Sequence, residues 1–137
     1  MYNDSIKGQC SKSFYDLKSE QISLIEKPVL WINNQQITGD TIFLYTKNEN
    51  LDSIYIPNDS FISSKKDKKY YNQIKGKMLY GKFYENKIEY INIIGNSTLK
   101  YFTEKEGLIN GSNDIISNEM KICFKNSEIH TIYFNGN

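Results

Sequence analysis

The sequence predicts an all-β protein built from repeated antiparallel hairpins. Three observations support this: a pair of motifs recurs at a fixed spacing, alanine is absent while Ile, Tyr, Phe, Thr and Ser are abundant, and Asn and Gly interrupt the apolar runs. Self-similarity at a period of about 20 to 50 residues is typical of stacked repeats. In such proteins each unit buries its apolar face only against its neighbours, so the units share one core.

The repeat consists of two motifs that return together. QITGD at 36–40 returns as QIKGK at 73–77, and LDSIYI at 51–56 returns as IEYINI at 88–93, both displaced by 37 positions. A looser third copy lies 41 positions further on and closes with IHTIYF at 129–134. One shared offset for separate motifs indicates that the whole unit is repeated.

Each unit reads as one hairpin. In the first, Ile42 and Leu44 share one face of a strand, and Phe43 and Tyr45 share the other. The polar residues 47–50 reverse the chain, and the returning strand runs to residue 56. The second unit turns at 84–87 and the third at 125–128, and Gly95 with Asn96 is expected to end the second returning strand.

Two local details of the repeat carry structural predictions. The first apolar residue of each returning strand lies three positions before the next, as Leu51 does before Ile54. It is therefore out of phase with the strand, which predicts a β-bulge or a turn residue there. Ile22 to Ile25 has the same step and is interpreted as the end of an earlier repeat. Gly39 and Gly76 precede rising strands, where close approach of a neighbouring strand would exclude a side chain.

The residue types needed for most catalytic sites are missing. His130 is the only histidine, which excludes a His-based catalytic triad or a zinc site with several histidines. The acidic residues are scattered through turns, no pair is singled out for glycoside hydrolysis, and no glycine-rich phosphate loop is present. We therefore expect neither an enzyme nor a cofactor or metal site.

The charge balance argues against a nucleic-acid partner. All 17 basic residues are lysines, they face 16 acidic residues, and arginine is absent. The lysine-rich run at 65–69 is interpreted as a solvated loop between repeats, with a phosphate contact as the alternative. Cys10 and Cys123 are far apart in sequence, and two thiols are favoured over a disulfide.

Length allows one domain, at residues 1–137. No stretch is apolar over the 18 to 20 residues of a membrane span, and the first residues lack the pattern of a signal peptide. The chain stops directly after a strand pattern, so we expect it to be a fragment of a longer protein.

Several motifs together resemble the OstA-like proteins of Bacteroidetes, which are relatives of the periplasmic lipopolysaccharide-transport protein LptA. These motifs are PVLW at 28–31, QITGD at 36–40, LDSIYI at 51–56, YNQIKGK at 71–77 and the GN pair at 95–96. The similarity extends over roughly residues 20 to 134.

This resemblance implies a two-sheet β-jellyroll shaped as a slit V (a β-taco), whose apolar interior binds lipid acyl chains. It implies a periplasmic module of lipopolysaccharide transport to the outer membrane, which passes lipid A along without chemical change and associates edge to edge with other jellyroll proteins or itself. Each methylene of the lipid that is buried in such a groove adds about 0.8 kcal/mol to the free energy of binding. The implied lipid-binding residues are the apolar positions Ile42, Leu44, Ile54, Ile56, Phe61, Met78, Tyr80, Ile91, Ile93, Leu99, Tyr101, Ile122, Ile132 and Phe134.

The alternative is a structural or protein-binding β-solenoid with a dry, packed core. Periodicity does not separate the two, because the same side chains fill a closed core or line a ligand groove. The volume left inside the stack distinguishes them.

Overall fold

The structure is a computed structural model that describes residues 6–65 and 69–135, and within these ranges the chain forms thirteen antiparallel strands and no helix. The predicted all-β fold is confirmed. The strands are β1 (Ile6–Gln9), β2 (Lys12–Asp16), β3 (Gln21–Ile25), β4 (Val29–Ile32), β5 (Gln35–Thr38), β6 (Thr41–Lys47), β7 (Asn50–Ile56), β8 (Ser60–Lys65), β9 (Tyr71–Gly76), β10 (Met78–Tyr84), β11 (Lys87–Lys105), β12 (Leu108–Lys125) and β13 (Glu128–Asn135).

All the strands belong to one curled sheet with two arms. The order along it is β1, β4, β5, β8, β9, β11, β10, β7, β6, β3 and β2, and β12 pairs with β11 and with β13. Strand β11 pairs with β10 through its first half and with β9 through its second half. We call β1, β4, β5, β8, β9 and the adjoining halves of β11 and β12 the first arm. The other strands, with the remaining halves of β11 and β12, are the second arm.

The two arms meet along a crease where the chain passes from one to the other. Gly95 and Asn96, predicted to end a strand, instead lie inside the long strand β11, with positive φ angles of 90° and 49°. The register with β12 shifts at this point. A local irregularity therefore bends β11 from one arm into the other, because a bulge lets a strand turn without ending.

The repeat is visible in the hydrogen bonds of the crease. The main-chain N–H of Asp40 donates to the carbonyl of Asn58 at 3.2 Å, and that of Lys77 donates to the carbonyl of Gly95 at 2.9 Å. Both partners in the second bond lie 37 positions after those in the first, which is the offset of the sequence motifs. The two sequence copies are therefore equivalent in structure.

The glycines of the repeat are needed because of close approach. A Cβ atom on Gly39 would overlap Cγ2 of Ile56, and one on Gly76 would overlap Cγ2 of Ile93. Neither glycine has a positive φ, so steric contact is the cause. In the third copy Ser117 takes the glycine's place, and its buried hydroxyl, with one proton to donate, contacts the main-chain carbonyls of Glu119 and Asn135.

Of the two predicted alternatives for the hairpin ends, a bulge or a turn residue, the structure has a β-bulge in all three repeats. One residue of each returning strand has no counterpart across the ladder: Asp52 in β7, Glu89 in β11 and His130 in β13. Each extra residue restores the phase between the first apolar residue and the strand proper. The bulge explains why both Leu51 and Ile54 are buried although they are three positions apart.

The inner faces of the arms pack together into one hydrophobic core. Alternation fits the predicted pattern in β6, where Ile42 and Leu44 are buried while Phe43 and Tyr45 lie half-buried on the other face.

Cys10 and Cys123 are both free thiols.

Three residues predicted to face inward lie on the outer face instead. In β8 the buried residue is Ile62 rather than Phe61, and in β10 it is Leu79 rather than Met78 or Tyr80. Leu79 lies opposite the buried Ile93, and directly opposed residues share a face. The prediction was out of phase by one residue, which sends every side chain of a strand to the other face.

Candidate functional site

The candidate site lies between the two arms, where the apolar interior is open at one end of the stack. Its shape follows from how far the core is filled. Along the middle, large side chains from both arms are at most 2% exposed and leave no opening. They are Ile32, Ile37, Ile42, Ile54, Ile56, Ile62, Ile74, Leu79, Ile91, Ile93 and Leu99.

At the amino-terminal end the arms separate and enclose a cavity of about 670 Å³, which we call the mouth. Strands β1 and β4 contribute Ile6, Gly8 and Leu30, and the second arm supplies the opposing wall. That wall consists of the apolar residues Ile22, Leu24, Leu44 and Leu51. The interior of the mouth is therefore a continuation of the hydrophobic core.

The rim of the mouth is polar and aromatic. Glu20, Asn48 and Glu49 come from turns of the second arm, and Phe14 and Tyr15 come from β2. Both aromatic residues are more than half exposed. An apolar floor under a polar rim suits an amphipathic ligand, whose apolar part enters while its polar part stays in water.

Gly8 decides how wide the mouth is. A Cβ atom on this residue would lie 3.7 Å from Cδ1 of Leu24 and 3.7 Å from Cδ1 of Leu30, which is ordinary van der Waals contact. A larger side chain here would be accepted by the backbone and would project into the cavity. Gly8 thus leaves the floor accessible, and a Cβ atom at this position would cause no clash.

The tips of the arms are joined by a side-chain hydrogen bond. The Gln35 side chain, at the start of β5, donates from Nε2 to the main-chain carbonyl of Ser127 at 3.1 Å. Ser127 lies in the turn between β12 and β13, so the bond links the first arm to the second. We call this contact the clasp; Gln35 is only 1% exposed within it.

The groove offers little for chemistry. Within residues 6–65 and 69–135, no group of three or more His, Cys, Asp or Glu side chains is placed to hold a metal ion. The acidic residues of the mouth lie on its rim, and none projects from the floor. No helix in the part of the chain that the structure describes is long and apolar enough to span a membrane.

The predicted lipid-binding residues fall into five groups. Leu44 lines the mouth, whereas Ile42, Ile54, Ile56, Ile91, Ile93, Leu99 and Ile122 lie in the filled interior. Tyr101 and Ile132 are half-buried against the core. Phe134 lies opposite Met120 on the inner face but is 54% exposed on the last strand, and the outer-facing residues Phe61, Met78 and Tyr80 do not reach the interior.

Sequence reasoning missed most of the mouth. Ile22 and Leu24 belong to the segment interpreted as the end of an earlier repeat, which was the available signal. Leu51 was recognised only as the residue before a bulge. Most of the lysine-rich run, at 66–68, lies outside the described residues.

The sequence matches no family model and no curated protein. Among solved structures, the chain is similar to the crystal structure of LptH from Pseudomonas aeruginosa, the LptA-homologous periplasmic component of the conserved lipopolysaccharide transport device. The TM-score is 0.71 at 12% sequence identity, over 96% of this chain and 82% of the LptH chain. At this identity the similarity shows the fold. The chain therefore has an LptA-like β-jellyroll fold, and the resemblance found in its motifs is confirmed at that level.

Proposed function

We propose that this protein is a non-enzymatic, periplasmic lipid-binding module of lipopolysaccharide transport. The observation that carries the proposal is the mouth: an apolar cavity between the arms of an LptA-like jellyroll, open to solvent and edged by polar side chains. The lipid A acyl chains enter the cavity while the sugars remain outside. Burial of each lipid methylene adds about 0.8 kcal/mol to the free energy of binding, so lipid binding requires no charged contact.

The filled interior adds a condition to this proposal. Ile54, Ile91 and Ile93 already occupy the middle of the stack and are at most 1% exposed. Acyl chains therefore reach these residues, and the other predicted interior positions, only if the arms move apart. The mouth is the first binding position, and transfer deeper into the groove requires the clasp at Gln35 to open.

The ends of the sheet fit an association with other jellyroll proteins or with a second copy. Among the described residues, β13 pairs only with β12, and β1 pairs only with β4. Unpaired strand edges accept further strands through main-chain hydrogen bonds. The exposed inner-face residue Phe134 would then continue the apolar groove across the junction.

Gly8 supplies the decisive experiment. Gly8→Phe fills the mouth without a backbone clash, and native mass spectrometry with purified lipopolysaccharide measures the bound fraction. We expect a lipid adduct on the wild type and its loss in this variant. Gly111→Phe is the matched control, because Gly111 lies on an exposed part of β12 remote from the mouth and has room for a Cβ atom.

A photo-crosslinking residue gives an independent measure of the same site. At Tyr15, on the rim, it should capture the lipid, whereas at Tyr84, an exposed residue outside the mouth, it should not. Equal capture at both positions, or equal binding by the two glycine variants, would contradict the proposed site.

The second candidate function is a structural or protein-binding module with a dry core. The filled middle of the interior favours it, since this part of the stack is packed as in an ordinary β-sandwich. A folded wild-type protein that gives no lipid adduct would support this candidate instead.

A further inference from the structure

A second concave site lies on the outer face of the second arm. It is a shallow cleft of about 560 Å³ on strands β6, β7 and β10, walled on one side by the turn between β2 and β3. Tyr45, Tyr55 and Tyr80 form its floor, and Asp52, Ser19 and Glu20 supply polar groups around it. None of these residues contributes to the hydrophobic core cluster.

Two floor residues, Tyr55 and Tyr80, belong to a row of aromatic side chains held in register by the sheet. Phe43 continues this row beside the cleft, and Tyr45 lies two positions further along β6, opposite Ser53. Tyr55 lies directly opposite Phe43 on β6 and opposite Tyr80 on β10. The rings of Phe43 and Tyr55 are stacked, with centroids 6.2 Å apart and planes 19° apart. Neighbouring strands are about 4.8 Å apart, so the three positions extend over roughly 10 Å. Tyr80, at the open side of the row, is 38% exposed.

The polar groups around the floor are held in place. Lys82 Nζ donates to Asp52 Oδ1 at 2.9 Å, and this hydrogen bond raises the pKa of Lys82 above its ordinary value. Lys82 therefore carries its positive charge at neutral pH. The wall is fixed as well, because the main-chain N–H and the hydroxyl of Thr46 both donate to the carbonyl of Glu20, at 2.9 Å and 3.3 Å.

We propose that this outer cleft binds a saccharide chain. The negative face of an aromatic ring attracts the C–H groups on the face of a sugar ring, and flat rings in a row suit successive sugars. Carboxylate, ammonium and hydroxyl groups beside the rings complement sugar hydroxyls as acceptors and donors. The cleft volume of about 560 Å³ lies within the range of small-ligand sites.

Two sources would supply such a saccharide. One is the sugar portion of a lipid whose acyl chains occupy the mouth, and this source rests on the proposed function. Glu20 and Thr46 line both the mouth and the outer cleft, so the two sites adjoin at these residues. The other is a free glycan, which requires no lipid in the groove.

The test uses titration calorimetry with two probes. One is the core oligosaccharide of lipopolysaccharide, freed of lipid A by mild acid, and the other is the N-acetylglucosamine–N-acetylmuramic acid disaccharide of the cell wall. Binding of the first probe alone identifies the lipid-linked source, and binding of the second alone identifies the free glycan. Absence of binding by both probes to the folded wild-type protein overturns the proposal.

The variants locate the site. Tyr80→Ala should weaken saccharide binding about tenfold, the loss expected for one aromatic contact. Tyr84→Ala is the matched control, because Tyr84 lies on the same strand and face, is 65% exposed and does not line the cleft. Gly8→Phe should leave saccharide binding unchanged, which separates failure of the cleft from failure of the mouth. Equal losses in Tyr80→Ala and Tyr84→Ala would overturn the assignment.

Discussion

Gln35 and Ser127 are separated by 92 positions in the sequence and are joined by a hydrogen bond of 3.1 Å from Nε2 to a main-chain carbonyl. The Gln35 side chain is buried, and within the described residues its Oε1 has no hydrogen-bond partner. One amide thus holds the tips of the two arms together. The apolar core packs the inner faces of the arms together, and opening the groove at the tips would also break this hydrogen bond.

The clasp predicts a measurable loss of stability. Gln35→Ala removes the bond and leaves the Ser127 carbonyl without its donor, so the free energy of unfolding should fall by about 1 to 3 kcal/mol. Gln36→Ala is the matched control, because the exposed Gln36 side chain accepts a hydrogen bond from the half-buried Trp31, and its loss should change stability by at most about 0.5 kcal/mol. Urea denaturation measures both. Similar losses of stability in the two variants would show that the hydrogen bond from Gln35 to Ser127 does not hold the arms together.

The crease predicts an intolerance of side chains at the repeat glycines. Gly76→Ala should lower the free energy of unfolding by about 1 to 3 kcal/mol. The new methyl group overlaps Cγ2 of Ile93, a β-branched side chain that cannot rotate away freely. Gly111→Ala has room and should be close to neutral.

A double-mutant cycle isolates the cause of that loss. If the overlap is responsible, Ile93→Ala should lower the free energy of unfolding by less in the Gly76→Ala variant than in the wild type. Additive effects of the two substitutions would show that the glycine is required for another reason.

The interior predicts a sharp contrast along one strand. Ile91→Asp places an unpaired carboxylate in the fully buried core, and its cost should exceed the few kcal/mol by which a domain of this size is stable. Ile94→Asp, on the outer face of the same strand, should leave a folded protein. Circular dichroism and a thermal melt distinguish these outcomes. A folded Ile91→Asp variant would show that the arms separate easily enough to hydrate the interior.

The ion pair of the outer face predicts a dependence on pH at the alkaline end. The pKa of Lys82 is raised by Asp52, so the pair's stabilisation is fully present below pH 10.5, the ordinary pKa of lysine, and is lost as pH rises through the higher folded-state pKa. The difference in unfolding free energy between wild type and Asp52→Asn should therefore be constant near neutral pH and vanish in strong alkali. A difference that persists there would point to a cause other than charge pairing.

The hairpins were predictable because local patterns encode them. The three-residue step from Leu51 to Ile54, and its two repeats, predict a bulge or turn residue at the hairpin end, and the structure has bulges at Asp52, Glu89 and His130. The phase of β10 was not predictable in this way. Leu79 and Tyr80 are both large and apolar enough to face inward, and only the pairing of Leu79 with Ile93 decides between them.

The candidate site was predictable in kind but not in position. An apolar interior follows from alternating isoleucines, but which part of it is open depends on where the two arms separate. Leu24 and Leu30 enter the mouth from different arms, and Gly8 matters only because it faces both. No periodicity in the sequence records that contact.

The sequence by itself determined the strand composition, the repeat of 37 positions, the hairpin turns and the bulges, because each depends on residues close together in the chain. Only the tertiary structure decided that the interior is filled around Ile91 but open around Leu44, that Gln35 reaches Ser127, and that Tyr45, Tyr55 and Tyr80 share one outer cleft. These features depend on the register and curl of a sheet that brings distant residues together. That geometry is a property of all thirteen strands at once and of no single segment.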